Sequence, residues 1–242
     1  MPSFNRRHLL RAAAALAAPG ALAPIAQIAH AAAPIHPGTD SALIVVDVQN
    51  CFIQGGSLAV KDGEQVIPVI NRIAPLFPNI IQTQDWHTRG HASFASSYPG
   101  RKPFDSIDLP YGKQVLWPDH CVQGTPDAEL APDLRLPTAQ LVIRKGYHPA
   151  IDSYSAFQEA DHLTNTGLAG YLKERAIQTV YVTGIATDFC VAWTAMDARK
   201  AGFETFVIED ATRGIDLGGS LAAAWQAMAA AGVKRIQSAD LA

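Results

Sequence analysis

The residues of this 242-residue chain whose types and spacing could do chemistry are Asp47, Asp85, His87, His91, His120, Lys145 and Cys190. Asp85 and His87 are two apart at the end of an apolar run, a spacing that turns both side chains to one side of a strand. His91 follows, and His120 stands further on, in Trp117-Pro118-Asp119-His120-Cys121. One carboxylate and two imidazoles leave open positions on a metal and suit Zn, Fe(II) or Mn. The plainer alternative is a set of surface loop histidines beside an N-capping aspartate.

Cys190 falls near the start of an expected helix, where backbone N–H groups and the dipole favour a thiolate. A lysine ending a neighbouring strand would depress its pKa further, and an aspartate ending another could move the proton. Lys145 and Asp47 end such runs. Against this, a free cysteine is most often a small buried hydrophobe, and Asp47 with Lys145 could be a structural ion pair. Cys51 and Cys121 have neither a helix start nor a basic partner and read as buried, inert cysteines.

The elements that must position these groups alternate. Short apolar runs at Ala42–Val48, Asn79–Gln84, Gln140–Arg144, Gln178–Ile185, Glu204–Ile208 and Lys234–Gln237 read as strands buried on both faces. Amphipathic stretches at Glu64–Leu76, Gly167–Ala176, Asp188–Ala201 and Gly219–Ala231 read as helices. The pattern predicts an α/β fold, doubly wound, with a mostly parallel six-stranded sheet and helices on both faces. In such sheets ligands bind beyond the carboxyl ends of the strands, where the candidate residues lie. Trp86 to Thr138 is a long connection rich in Pro, Gly, Ser and His, and connections that long are usually functional. No Gly-rich nucleotide fingerprint follows the first strand.

Composition closes off other classes. With 48% hydrophobic and 17% charged residues the chain is not disordered. A net charge of −3 gives no electrostatic footprint for nucleic acid. Three cysteines are too few for a disulfide-built scaffold, and an odd number cannot all pair within the chain.

Residues 1–31 carry Arg6, Arg7 and Arg11, no acidic residue, then an alanine-rich run ending in Ala29-His30-Ala31. That is a signal-peptide pattern with a small-x-small cleavage site near Ala31. Arg6-Arg7 resembles a twin-arginine signal, although Asn5 precedes it where serine or threonine is more usual. Pro19, Gly20, Pro24 and Gln27 interrupt the run, which argues against a stable membrane anchor. The expectation is a periplasmic protein that uses the twin-arginine export machinery, with its folded domain over residues 38–242.

Five separated segments then match a known family in order. They are Asp47-Val48-Gln49-Asn50, Asp85-Trp86-His87, the stretch from Trp117 to Thr125, Arg144-Lys145-Gly146 and the stretch from Gly184 to Val191. Together they resemble a nicotinamidase (pyrazinamidase) of the isochorismatase-like cysteine hydrolases, over essentially everything from Ser41 onward. The resemblance implies Cys190 as nucleophile, Asp47 as proton carrier and Lys145 as their positive partner. It implies Asp85, His87 and His120 as ligands of a divalent metal, with zinc first and Fe or Mn as alternatives. His91 falls where some members supply a further ligand, and Ser93 where a metal-bound water is held. Phe52 and Trp117 match the aromatic walls around a pyridine ring. The family's cis peptide falls between Ile185 and Ala186, with the N–H groups of Ala186 and Cys190 as the oxyanion hole. Cys51 stands where the first motif usually has an aspartate, and an export signal is unusual for nicotinamide salvage.

The implied reaction is hydrolysis of a small-molecule amide through a thioester, giving nicotinate and ammonia. Two other readings remain beside it: a related cysteine hydrolase acting on a carbamoyl or ureido amide, and a periplasmic metal-binding protein with a vestigial triad. A thiol redox protein would need a C-x-x-C spacing that is absent. Assembly into a homo-oligomer is left open.

Overall fold

Ser41–Val46 (β1) is buried at every position, and its side chains divide by the period of two. Leu43 and Val45 join one apolar cluster, while Ala42, Ile44 and Val46 join another on the opposite face. A strand covered on both sides belongs at the centre of a sheet. The structure, a computed structural model, describes residues 33–242. The signal reading of residues 1–31 lies outside the described residues.

The elements after β1 are α1 (Val66–Ile73), β2 (Asn79–Asp85), β3 (Ser106–Leu109), β4 (Gly112–Val115), β5 (Leu141–Lys145) and α2 (Leu168–Glu174). They continue with β6 (Thr179–Ile185), α3 (Ala192–Lys200), β7 (Glu204–Arg213), α4 (Ser220–Ala230) and β8 (Lys234–Ile236). Six strands form one sheet in the order β5-β2-β1-β6-β7-β8, and every pairing is parallel. The sheet is therefore doubly wound, as the alternating pattern predicts. Val66, Ile67, Ile70 and Ile73 give α1 one buried stripe, which seals the face shared with Leu43 and Val45. Leu168 and Leu172 of α2, the alanines of α3 and Met228 of α4 seal the other.

The chain runs outward from β1 to β2 and β5, then returns to the other side of β1 as β6. That reversal puts the switch in strand order between β1 and β6, where the carboxyl ends open a crevice. Gly184 lets the two strands meet closely there. Its φ is +106°, and a Cβ would lie 2.0 Å from the Val46 carbonyl oxygen.

The long connection is not structureless. It holds the β3–β4 hairpin, which the sequence pattern does not announce, and it folds back to pair His87 with Val122 and Phe94 with Trp117. The His87 N–H donates to the Cys121 carbonyl at 3.1 Å, and the Gln123 N–H donates to the His87 carbonyl at 2.9 Å. This return corrects one expectation. Cys51 and Cys121 are not separate inert cysteines but a disulfide with a Cα–Cα distance of 5.6 Å, 70 residues apart in sequence. Nothing local in the sequence brings them together; the pairing follows from the bridge at His87, which lays Cys121 beside the turn Asn50–Phe52.

Candidate active site

Asp47, Asp85 and Lys145 close three adjacent strands, so their side chains meet in the crevice above β1. Lys145 is fully buried. Its Nζ lies 2.8 Å from Asp47 Oδ2, donates to Asp85 Oδ1 and to the Ser153 carbonyl at 2.9 Å, and stands 3.4 Å from Cys190 Sγ. Asp47 is held in place by the Thr83 hydroxyl, which donates to Oδ1 at 2.5 Å. The Gln49 amide bonds the Asp85 backbone on both sides, through Oε1 at 2.8 Å and Nε2 at 2.9 Å. Cys190 lies in a π-helical turn, Thr187–Val191, that runs into α3. One ligating oxygen each from Asp47 and Asp85 lies within 4.8 Å of its sulfur. The peptide between Ile185 and Ala186 is cis, as the resemblance implies.

The electrostatics correct one step of the sequence argument. The helix start and the lysine were expected to favour a thiolate. Burial instead pushes the Cys190 thiol well above its ordinary range, and the two aspartates add to that against Lys145. The resting group is a thiol. Burial also raises the Asp47 carboxyl, with Lys145 pulling down and Asp85 pushing up. Burial opposes the charge on Lys145, but Asp47 and Asp85 outweigh it and hold the ammonium well above its usual range. A neutral thiol, a carboxylate of raised basicity and a fixed cation thus stand together, an arrangement suited to proton transfer from sulfur to Asp47.

On the far side of Asp85, His87 Nε2 and His120 Nε2 lie 3.6 and 3.7 Å from Oδ2. Each ring's Nδ1 faces a backbone carbonyl, that of Gly146 at 2.9 Å and that of Pro118 at 2.8 Å. A carbonyl only accepts, so Nδ1 carries the proton and each Nε2 lone pair turns toward Asp85. These three donors converge, and the buried carboxylates near them, Asp47, Asp85 and Asp152, face the single Lys145 ammonium. Burial works to lower the His87 pKa, yet Asp85 beside it raises it further, so the site draws positive charge. The residues present therefore fit a divalent metal.

Gly146 is part of that fit. Its φ is +65°, and a Cβ would lie 2.8 Å from His87 Nδ1. Gly146→Ala is expected to turn the His87 ring and weaken metal retention by roughly 10- to 100-fold, the usual effect of disturbing a group that orients a ligand. Elemental analysis after dialysis reads it, and full metal content would show that the ring can move at no cost.

His91 is seated differently from the other two. Its ring leans against that of His87, with centroids 4.4 Å apart and planes tilted by 36°, and it groups with His87 and Asp152, not with Asp85 and His120. Its Nδ1 faces the Ser93 hydroxyl at 2.8 Å and its Nε2 the His148 carbonyl at 2.9 Å. Burial, with His87 next, lowers its pKa to about 4, so it stays neutral near pH 7.

One pocket joins the two halves. Phe52, Trp117, Asp85, His87, His120, Ala186 and Cys190 line it, together with Leu58, Asp152, Tyr154, Phe189 and Ile215, which the sequence reading missed. Trp117 and Phe189 meet edge to face at 4.9 Å, and the Trp117 indole N–H donates to the Tyr154 hydroxyl at 3.1 Å. Gln114, on the unforeseen hairpin, donates to both Tyr154 and Asp152. Asp188 accepts from the N–H groups of Ile215 and Asp216 and from the Ser220 hydroxyl, which brings Ile215 into the pocket wall. No periodic pattern marks Leu58, Asp152, Tyr154 and Ile215, because irregular segments carry them, and Phe189 sits in the π-helical turn.

Comparison with known proteins identifies the family and the fold. The isochorismatase domain family matches residues 41–240. A nicotinamidase of Acinetobacter baylyi is 65% identical over 200 residues, covering 83% of this chain and 94% of the relative. The structure of an Acinetobacter baumannii nicotinamidase/pyrazinamidase superposes with a TM-score of 0.83 at 66% identity, covering 84% of this chain and 98% of that one. A Pyrococcus horikoshii pyrazinamidase in complex with zinc superposes with a TM-score of 0.68 at 36% identity, covering 82% of this chain and 99% of that one. The chain belongs to the isochorismatase family, among its nicotinamidases and pyrazinamidases.

Proposed function

We propose that this enzyme hydrolyses nicotinamide, and pyrazinamide with it, to the carboxylate and ammonia through a thioester on Cys190. The observation that carries the reading is one aromatic-walled pocket lined by Cys190 and by the Asp85, His87 and His120 donors, with Lys145 linking Cys190, Asp47 and Asp85. Phe52 and Trp117 flank the flat ring, and the carboxamide reaches Cys190. Asp47 takes the thiol proton while Lys145 holds both groups in place, and the sulfur adds to the carboxamide carbon. The N–H groups of Ala186 and Cys190 receive the developing oxyanion, where each such donor contributes roughly 3–4 kcal/mol in other enzymes. Asp47 passes its proton to the leaving nitrogen as ammonia departs. Water then enters, Asp47 takes its proton, and the thioester opens to the acid with Cys190 restored. A divalent metal on Asp85, His87 and His120 (zinc first, Fe or Mn in its place) supplies, when bound, a Lewis acid for the ring nitrogen. Its support here is the donor geometry and the zinc bound by the Pyrococcus relative.

Ammonia release from nicotinamide, pyrazinamide and a set of ureido and carbamoyl compounds tests the assignment. Pyridine and pyrazine amides are expected to dominate kcat/KM. Faster release from a ureido compound would move the enzyme to another branch of the family.

The same proposal extends to location. Residues 1–31 are a twin-arginine signal, and the domain over 38–242 works in the periplasm. Support comes from the Arg6-Arg7 pair, the Ala29-His30-Ala31 site and a buried disulfide of the kind found in oxidising compartments. Replacing Arg6 and Arg7 together by Lys is expected to leave uncleaved, active enzyme in the cytoplasm. Fractionation and N-terminal sequencing decide it, and periplasmic delivery of that variant would count against the route.

A further inference from the structure

Cys51 directly precedes Phe52, and Cys121 directly follows His120, so the disulfide ties two walls of the pocket to each other. Both cysteines are fully buried. The Phe52 ring and the His120 imidazole meet edge-on with centroids 5.6 Å apart. The other links between these segments are hydrogen bonds passed through a third. Asp127 accepts from the Cys121 N–H at 3.0 Å and from the Ser57 hydroxyl at 2.6 Å, and the Asn50 N–H donates to the Glu129 carbonyl at 2.9 Å. Cys121 also has a φ of +45°, a conformation that a residue with a side chain keeps only when its surroundings hold it there. The direction of the neighbouring His120 side chain depends on that backbone.

We propose that the Cys51–Cys121 disulfide is a positioning cross-link of the active site, fixing His120 and Phe52 as one unit for metal and substrate. It rests on the reading that Asp85, His87 and His120 hold a metal. Opening the cross-link frees the Trp117–Cys121 segment to relax at Cys121, while the Asp47–Lys145–Cys190 group, held by β1, β5 and the π-helical turn, stays in place. Metal retention and KM should therefore respond, and kcat should not. The opening is a two-electron reduction. A water-soluble phosphine becomes its oxide with oxygen from water, the S–S bond breaks, and each sulfur gains a proton.

The test compares oxidised wild type, phosphine-reduced wild type and the Cys51→Ala/Cys121→Ala double variant. Free thiols are counted in each, rising from one to three in the reduced wild type. Zinc retained after dialysis against a fixed chelator concentration, near-UV circular dichroism, KM and kcat are then measured. The expected result is roughly tenfold weaker zinc retention and a KM raised about threefold or more, with kcat within about twofold. Unchanged zinc and KM in the folded double variant overturn the proposal, and so does a fall in kcat with both unchanged. Should the double variant fail to fold, the reduced wild type gives the answer. If oxidised wild type itself holds no zinc, the metal assignment fails separately, and the KM comparison still decides the cross-link.

Discussion

Cys190→Ala is expected to lose about 10⁴-fold or more in kcat for nicotinamide while folding and metal content stay as in wild type. The sulfur is the nucleophile in the proposed sequence, so no later step can proceed without it. Removing one buried sulfur leaves Asp47, Lys145 and Asp85 paired with one another as before. The contrast is Cys51→Ala, which alters the disulfide but not the proton path and should keep kcat near wild type. The pH profile gives a second reading. Asp47 must be ionised to take the thiol proton, and burial raises its pKa. The acid limb of kcat/KM should accordingly lie above the ordinary aspartate range, and Asp47→Asn should remove turnover along with it. Ammonia release at several pH values checks both. Turnover at the wild-type rate by Cys190→Ala would falsify the covalent route.

The strand ends were legible because the sheet writes itself into the sequence. A strand buried on both faces needs a continuous apolar run, and Asp47, Asp85 and Lys145 stand where three such runs stop. Parallel order then brings those three carboxyl ends to one edge. Most bounds shift by a residue or two, as at Ser41–Val46 against the expected Ala42–Val48, but β7 runs on to Arg213, five residues past the expected Ile208. What the pattern could not carry is the packing of the long connection. Its hairpin has one buried residue, Gln114, in an otherwise open ladder, so no alternation marks it. Asp152 and Tyr154 reach the pocket from an irregular segment after Gly146, where no period constrains the side chains. The disulfide is hidden for a related reason, since 70 residues of non-local folding separate its halves. The thiol's raised pKa is hidden too. A lysine and a helix start can be read from order, but burial beside two carboxylates is a property of the assembled site.

Asp85 belongs to both halves of the site, and separating its two duties gives the other large expected effect. Oδ1 takes the Lys145 ammonium, and Oδ2 faces both imidazoles. Asp85→Asn should therefore lose the metal and also strip a buried lysine of one of its two counter-charges. Removing one partner of a buried pair costs about 3–5 kcal/mol, less where the amide oxygen still accepts. For a domain of this size each kcal/mol moves Tm by roughly 2–4 °C, so a fall of several degrees is expected. His120→Asn removes a metal donor without touching Lys145. In chelator, with metal out of the comparison, Asp85→Asn should melt clearly below wild type and His120→Asn close to it. The thiol supplies an independent signature. The Asp85 charge is one of the groups holding the Cys190 thiol above its ordinary range, so its removal should move alkylation of Cys190 to lower pH. His120→Asn should leave that profile where it is. If both variants lose zinc alike and Asp85→Asn changes neither the melt nor the alkylation profile, the carboxylate serves the metal alone. The nucleophile and the metal site would then be electrostatically separate.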